Sequence, residues 1–149
     1  MSYIEEFDKL KTKVLKYILF KKRTEQEVRN KFINLQGEIL NEVIEELKDL
    51  NYINDKEYVN KAVKEFINLK NMSIKEIEYK LISKGINKEL IDSYIYKNKE
   101  KLLDYEIQSA KNIINKKIQT MQTEEILNYL RKKRYMEESI KIASKMIEE

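Results

Sequence analysis

Three kinds of side chain in this sequence have types and spacings that could do chemistry: paired carboxylates, two hydroxyls close to carboxylates, and clusters of cations. Glu45-Glu46, Glu124-Glu125 and Glu137-Glu138 could each offer oxygens to a divalent ion. Neighbours on a helix point about 100° apart, however, so each pair reads as a solvated face rather than a cation site. Thr24 and Ser73 carry hydroxyls that only a nearby base would turn into nucleophiles. The chain has no histidine and no cysteine, which excludes Cys/His zinc sites, Ser-His-Asp and Cys-His catalysis. Both hydroxyls stand three residues ahead of a glutamate, Glu27 and Glu76, and read as helix N-caps. Two isolated glycines, Gly37 and Gly85, cannot build a phosphate-cradling loop. Neither an enzyme nor a cofactor or metal is expected.

The cations remain. Lys21-Lys22-Arg23, Lys116-Lys117 and Arg131-Lys132-Lys133-Arg134 are dense enough to attract phosphate or an acidic protein groove. Lys21, Lys22, Arg23, Lys116, Lys117, Arg131, Lys132 and Arg134 are therefore the candidate partner-binding residues, with solvated helix ends as the competing account. Among the tyrosines, Tyr17, Tyr58 and Tyr94 fall on inward stripes. Tyr79, Tyr96 and Tyr135 lie nearer polar faces, where a ring could stack on a nucleobase or fill a partner's pocket. The balance of 30 basic and 26 acidic residues leaves a charge of only +4, spread along the chain, and there are four arginines. A sequence-specific duplex reader would concentrate charge on one face and use more arginine, so that class is disfavoured. Weak electrostatic contact with a nucleoprotein is compatible with these numbers.

Helices must position these groups. A chain of 149 residues that is 42% hydrophobic can bury a core, and 38% charged residues with no proline suit helices with long solvated faces. No period-2 alternation bounded by turn pairs occurs. The N-terminal residues lack the basic start and apolar run of a signal peptide, and no stretch approaches the ~20 apolar residues of a membrane span. A soluble cytoplasmic protein is expected.

Ser2 with Glu5 opens a first helix whose inward face is Ile4, Phe7, Leu10, Val14, Tyr17 and Ile18. Thr24 caps a second, with Val28, Phe32 and Leu35 behind it. Gln36-Gly37 breaks it, with Gly37 at or beside the left-handed position. A third helix faces inward through Leu40, Val43, Ile44, Leu47 and Leu50. Asn54 or Asp55 then caps the next helix, whose stripe is Tyr58, Val59, Ala62, Val63 and Phe66, while Tyr52 and Ile53 staple the incoming chain to it.

From there the pattern restarts. Val14, Tyr17, Thr24, Val28 and Phe32 each lie 49 residues before Val63, Phe66, Ser73, Ile77 and Leu81. Gly85 closes the second turn and Asn87 caps the sixth helix. Ile77, Leu81, Ile86 and Ile91 recur 49 residues later as Ile126, Leu130, Tyr135 and Ile140. Residues 98–101 form a polar link or carry helix six into helix seven. The period predicts an all-α protein of three tandem three-helix repeats, 1–54, 55–103 and 104–149, in one continuous domain forming an elongated, curved solenoid-like body. Nothing requires a dimer, and a monomer is expected.

Three landmarks carry a resemblance over essentially the whole chain. They are Lys13-Val14-Leu15-Lys16-Tyr17-Ile18-Leu19 followed by Arg23-Thr24-Glu25-Gln26-Glu27-Val28, then Leu47-Lys48-Asp49-Leu50-Asn51-Tyr52-Ile53-Asn54-Asp55, then Leu81-Ile82-Ser83-Lys84-Gly85-Ile86. In this order and spacing the chain resembles the regulatory protein RecX family, modulators of the RecA recombinase. The resemblance implies tandem three-helix bundles that bind along the groove of a RecA–single-stranded DNA filament. It also implies inhibition or tuning of RecA's ATP hydrolysis, strand exchange and coprotease activity. A small helical DNA-binding protein using helix-turn-helix-like units is the alternative.

Overall fold

The computed structural model describes residues 2–34 and 37–145. Among these residues there are nine helices and no strand: α1 (Tyr3–Phe20), α2 (Glu25–Lys31), α3 (Gly37–Asp49), α4 (Asp55–Leu69), α5 (Ile74–Ser83), α6 (Lys88–Lys97), α7 (Lys99–Lys117), α8 (Thr123–Lys132) and α9 (Glu137–Lys145). Packing concentrates within three consecutive triplets, α1–α3, α4–α6 and α7–α9, which are units 1, 2 and 3 of a tandem helical repeat.

The caps explain where the helices begin. Ser2, Thr24, Asn54, Ser73 and Asn87 each accept a backbone N–H of the first turn through the side chain. Each such cap contributes about 1 kcal/mol. Thr24 with Glu27 and Ser73 with Glu76 form complete, reciprocal capping boxes. Asn98 ends α6 and begins α7, so the polar link is a single residue.

Three cores follow from the apolar stripes. The first gathers Leu10, Val14, Val28, Val43, Ile44 and Leu47. The second gathers Val59, Val63, Ile77, Leu81, Ile91 and Leu102. The third gathers Ala110, Ile114, Ile126, Leu130, Tyr135 and Ile140. Helix α7 serves two of them, its Leu102 and Tyr105 closing the second core and its Ala110 to Ile114 face forming the third.

Several expectations are corrected. Ile4 and Leu50 are exposed rather than inward, because Ile4 lies in the first turn of α1 and Leu50 just past the end of α3, beyond the reach of the packed partners. Ile53 is buried in the first core, while Tyr52 is exposed and staples nothing. Gly37 is the first residue of α3, and the positive-φ glycine is Gly85 instead. Leu35 and Gln36 lie outside the described residues.

Candidate nucleoprotein interface and the joints that space it

Consecutive units are joined by one repeated device. The Thr24 hydroxyl, fully buried, donates to the carbonyl of Lys84 at 2.6 Å, and the Ser73 hydroxyl donates to that of Lys133, also at 2.6 Å. Each hydroxyl thus caps its own helix and also satisfies a carbonyl at the end of the corresponding helix in the next unit. The same lysines reach back, Lys84 to Glu27 at 4.0 Å and Lys133 to Glu76 at 3.5 Å. Every partner in the second joint is the first joint's partner plus 49.

Carboxylates complete the joints differently. Asp55 of α4 accepts the Glu25 N–H at 2.9 Å, and burial pushes its carboxyl above the usual aspartate range. Burial also works to raise Glu25, but Lys48 and Arg29, each 3.0 Å away, outweigh it and hold that carboxyl low. At the second joint Glu106, fully buried, accepts the Ile74 N–H at 2.8 Å and the Met136 N–H at 2.9 Å. Beside it the Tyr105 hydroxyl donates to the Met72 carbonyl at 2.6 Å, and the Ser109 and Tyr135 hydroxyls lie 2.7 Å apart.

The candidate cations divide into two groups. Lys22 pairs with Glu57 at 2.7 Å, and Arg23 stacks 4.0 Å above the Tyr17 ring. Lys117 lies 4.3 Å above the Tyr129 ring, and Arg131 pairs with Glu137 at 2.8 Å. These four are held by intramolecular partners. Lys21, Lys116, Lys132 and Arg134 are exposed, with no carboxylate partner among the described residues. The structure therefore does not bring the eight together into one patch of free charge; one free cation sits in unit 1 and three in unit 3. Arg134 has φ 69°, at the position where unit 2 has Gly85 with φ 84°. Among the described residues no group of three or more acidic side chains converges on a possible metal site.

Tyr79 and Tyr96 are exposed, Tyr96 to 81%, but Tyr135 is buried at 4% and its reading as a surface tyrosine is corrected. Its hydroxyl satisfies Ser109 within the third core, and burial pushes its phenol well above the usual tyrosine range. The 49-residue register carried that signal, since it places Tyr135 over buried Ile86. Tyr17, Tyr58 and Tyr94 are half-buried against their cores. Two features escape sequence reasoning. Glu106 reads as one more surface glutamate, although Tyr105 and Ile107 flank it on an inward stripe. Lys56, Lys61 and Lys64 form no run in the sequence, yet all three are exposed on α4, where Lys61 and Lys64 line one flanking groove and Lys56 the other.

No family model matches the chain. Among curated proteins, the regulatory protein RecX of Streptococcus agalactiae is 38% identical over 82 residues, which is 53% of this chain and 31% of that protein. The regulatory protein RecX of Clostridium beijerinckii is 34% identical over 119 residues, covering 76% of this chain and 55% of that protein. A crystal structure of RecX from Lactobacillus salivarius superposes with a TM-score of 0.81 over 97% of this chain and 98% of that one, at 22% identity. The chain groups with the RecX regulatory proteins. It spans about a third of the length of the first of these curated RecX relatives and about half of the second. A second RecX crystal structure, at TM-score 0.82 and 20% identity, shares the tandem helical fold over 94% of this chain. Those curated relatives are named as regulatory proteins. No helix among its described residues is long and apolar enough to cross a membrane.

Proposed function

We propose that the chain binds the RecA–single-stranded DNA filament in the cytoplasm as a monomer and inhibits RecA's ATP hydrolysis, strand exchange and coprotease activity. The observation that supports this reading is the repeated joint. It fixes the spacing of successive three-helix units and so holds Lys21 in unit 1 and Lys116, Lys132 and Arg134 in unit 3 at set distances. A body with spaced cations suits a partner that is itself a repeating polymer. Affinity for one filament state over another would then shift RecA's population toward that state.

The test is ATP hydrolysis by the cognate RecA on single-stranded DNA, titrated with this protein. Lys21→Glu, Lys116→Glu, Lys132→Glu and Arg134→Glu combined should raise the half-inhibiting concentration at least tenfold. The four residues are exposed and unpaired, so thermal stability should barely change. Full inhibition by that variant would remove these cations from the interface. No effect of the wild-type protein on hydrolysis, beside tight and salt-sensitive binding to DNA alone, would replace the filament reading with the DNA-binding one.

A further inference from the structure

We infer that unit 2 carries a track for single-stranded nucleic acid, running across the exposed face of α4 and ending on the Tyr96 ring. Two grooves flank α4. One, about 410 Å³, lies between the end of α1 and α4; Lys21, Lys22, Lys61 and Lys64 line it with Tyr58 and Glu65, and Lys22 is paired with Glu57. The other, about 250 Å³, lies between α4 and α6, and its charged lining is Lys56 and Lys97 with no acid. Lys56, Asn60 and Lys64 follow one another at i, i+4 and i+8 along α4, so one strip of helix surface connects the two grooves. Lys97 and Asn98 also line a third, shallower recess of about 640 Å³ with Tyr96, Lys99 and Lys101, opposed only by Glu100.

The ion pairs of unit 2 engage Lys75, Lys84 and Lys88 instead. Lys56, Lys61, Lys64 and Lys97 are left without a carboxylate partner among the described residues. Tyr96, 81% exposed, lines the third recess beside Lys97, Lys99 and Lys101. Spaced ammonium groups that follow a groove suit a phosphodiester backbone, and an exposed ring beside them suits an unpaired base. A duplex hides its base faces, so the ring selects the single strand. Lysines, as point charges, attract phosphate without reading sequence. The proposal rests in part on the filament reading, since it supplies a contact for the strand that reading invokes, but its test stands apart.

The experiment is fluorescence anisotropy of a labelled oligothymidylate titrated with the full chain, repeated with a hairpin duplex and with polyglutamate. The wild type should bind the single strand in preference to both competitors. Its log affinity should fall with log salt at a slope of about −3, as four or five released counterions require. Lys61→Glu with Lys64→Glu should weaken binding more than tenfold. Tyr96→Ala should weaken it about tenfold, and Tyr96→Phe should restore it. Helical circular dichroism and the melting midpoint serve as folding controls for each variant. Equal binding to polyglutamate, preference for the duplex, or unchanged affinity in both the lysine and the Tyr96→Ala variants would overturn the track. RecA inhibition that survives in Lys61→Glu/Lys64→Glu while single-strand binding is lost sustains the track and shows that the filament contact does not depend on Lys61 and Lys64. Single-strand binding by a wild type that leaves RecA unaffected sustains the track and defeats only the filament reading.

Discussion

The two joints share a plan and differ in what water reaches. At the joint between units 1 and 2, Asp55 is half-buried and accepts one backbone N–H, next to an ionic cluster of Glu25, Arg29 and Lys48 that remains partly solvated. At the joint between units 2 and 3, Glu106 is fully buried and accepts the Ile74 N–H at the start of α5 and the Met136 N–H just before α9, with no cation paired to it among the described residues. Tyr105, Ser109, Tyr135 and Met72 extend this polar network through the interior. Orphan donors at helix starts attract a carboxylate through both hydrogen bonding and the helix dipole. One buried carboxylate ties two helix starts together. The difference implies that the second joint costs more to disrupt than the first.

Removal of the two carboxylates offers the strongest test of that contrast. Glu106→Ala leaves the buried Ile74 N–H and the part-buried Met136 N–H without an acceptor, and a loss of about 3 kcal/mol is expected. Glu106→Gln keeps one acceptor and should lose about half as much. Asp55→Ala strands one N–H that water can reach, and about 1 kcal/mol is expected. Urea denaturation of the three variants measures the ranking. Equal losses for Asp55→Ala and Glu106→Ala would erase the distinction between joints.

The turn that enters each joint gives a smaller and opposite pair of effects. Gly85 holds φ 84°, and a Cβ built there would lie 2.3 Å from the Gln26 Cβ across the first joint. Gly85→Ala should therefore cost about 2 kcal/mol, from left-handed strain plus displacement of α2. Arg134 holds nearly the same backbone conformation at the second joint with a full side chain. Arg134→Gly should gain up to about 1 kcal/mol by relief of the same strain. Paired thermal melts decide it; a destabilised Arg134→Gly would mean that the arginine side chain helps to hold the second joint.

The fold was largely readable because it rests on local signals. Capping boxes at Thr24 and Ser73, the αL glycine at Gly85 and stripes such as Val59–Val63 are encoded within four residues of each other, and a 49-residue period multiplied them. The joints were not readable, because their bonds span 60 residues from Thr24 to Lys84 and again from Ser73 to Lys133. Nothing near Thr24 shows that its hydroxyl serves two units. The expected basic runs were visible as charge, yet pairing was hidden: Arg131 is held by Glu137 six residues on, and Lys22 by Glu57 thirty-five residues away. Conversely Lys56, Lys61 and Lys64 form no run, and only the packing of α4 between α1 and α6 places them along its two flanking grooves.

The smallest effect probes the ionic character of the first joint through acid. Lys48 and Arg29 hold the Glu25 carboxyl below its unfolded value of 4.5, so its contribution is complete above that pH and is lost as the pH falls through the folded value. Asp55 runs the other way. Burial raises it above its unfolded 3.8, so the ionised form is a cost in the native state, and protonation between the raised value and 3.8 relieves that cost. In the wild type the two carboxylates partly cancel as the pH falls from above the raised Asp55 value to below the lowered Glu25 value, and the first joint loses less stability than Glu25 alone would dictate. Asp55→Asn retains an acceptor for the Glu25 N–H but removes the proton-linked relief. Its stability, measured by melting midpoint against pH, should therefore fall more steeply than that of the wild type across this window. Parallel curves would show that Asp55 is as well solvated in the native state as in the unfolded chain, and the first joint would then be wetter still.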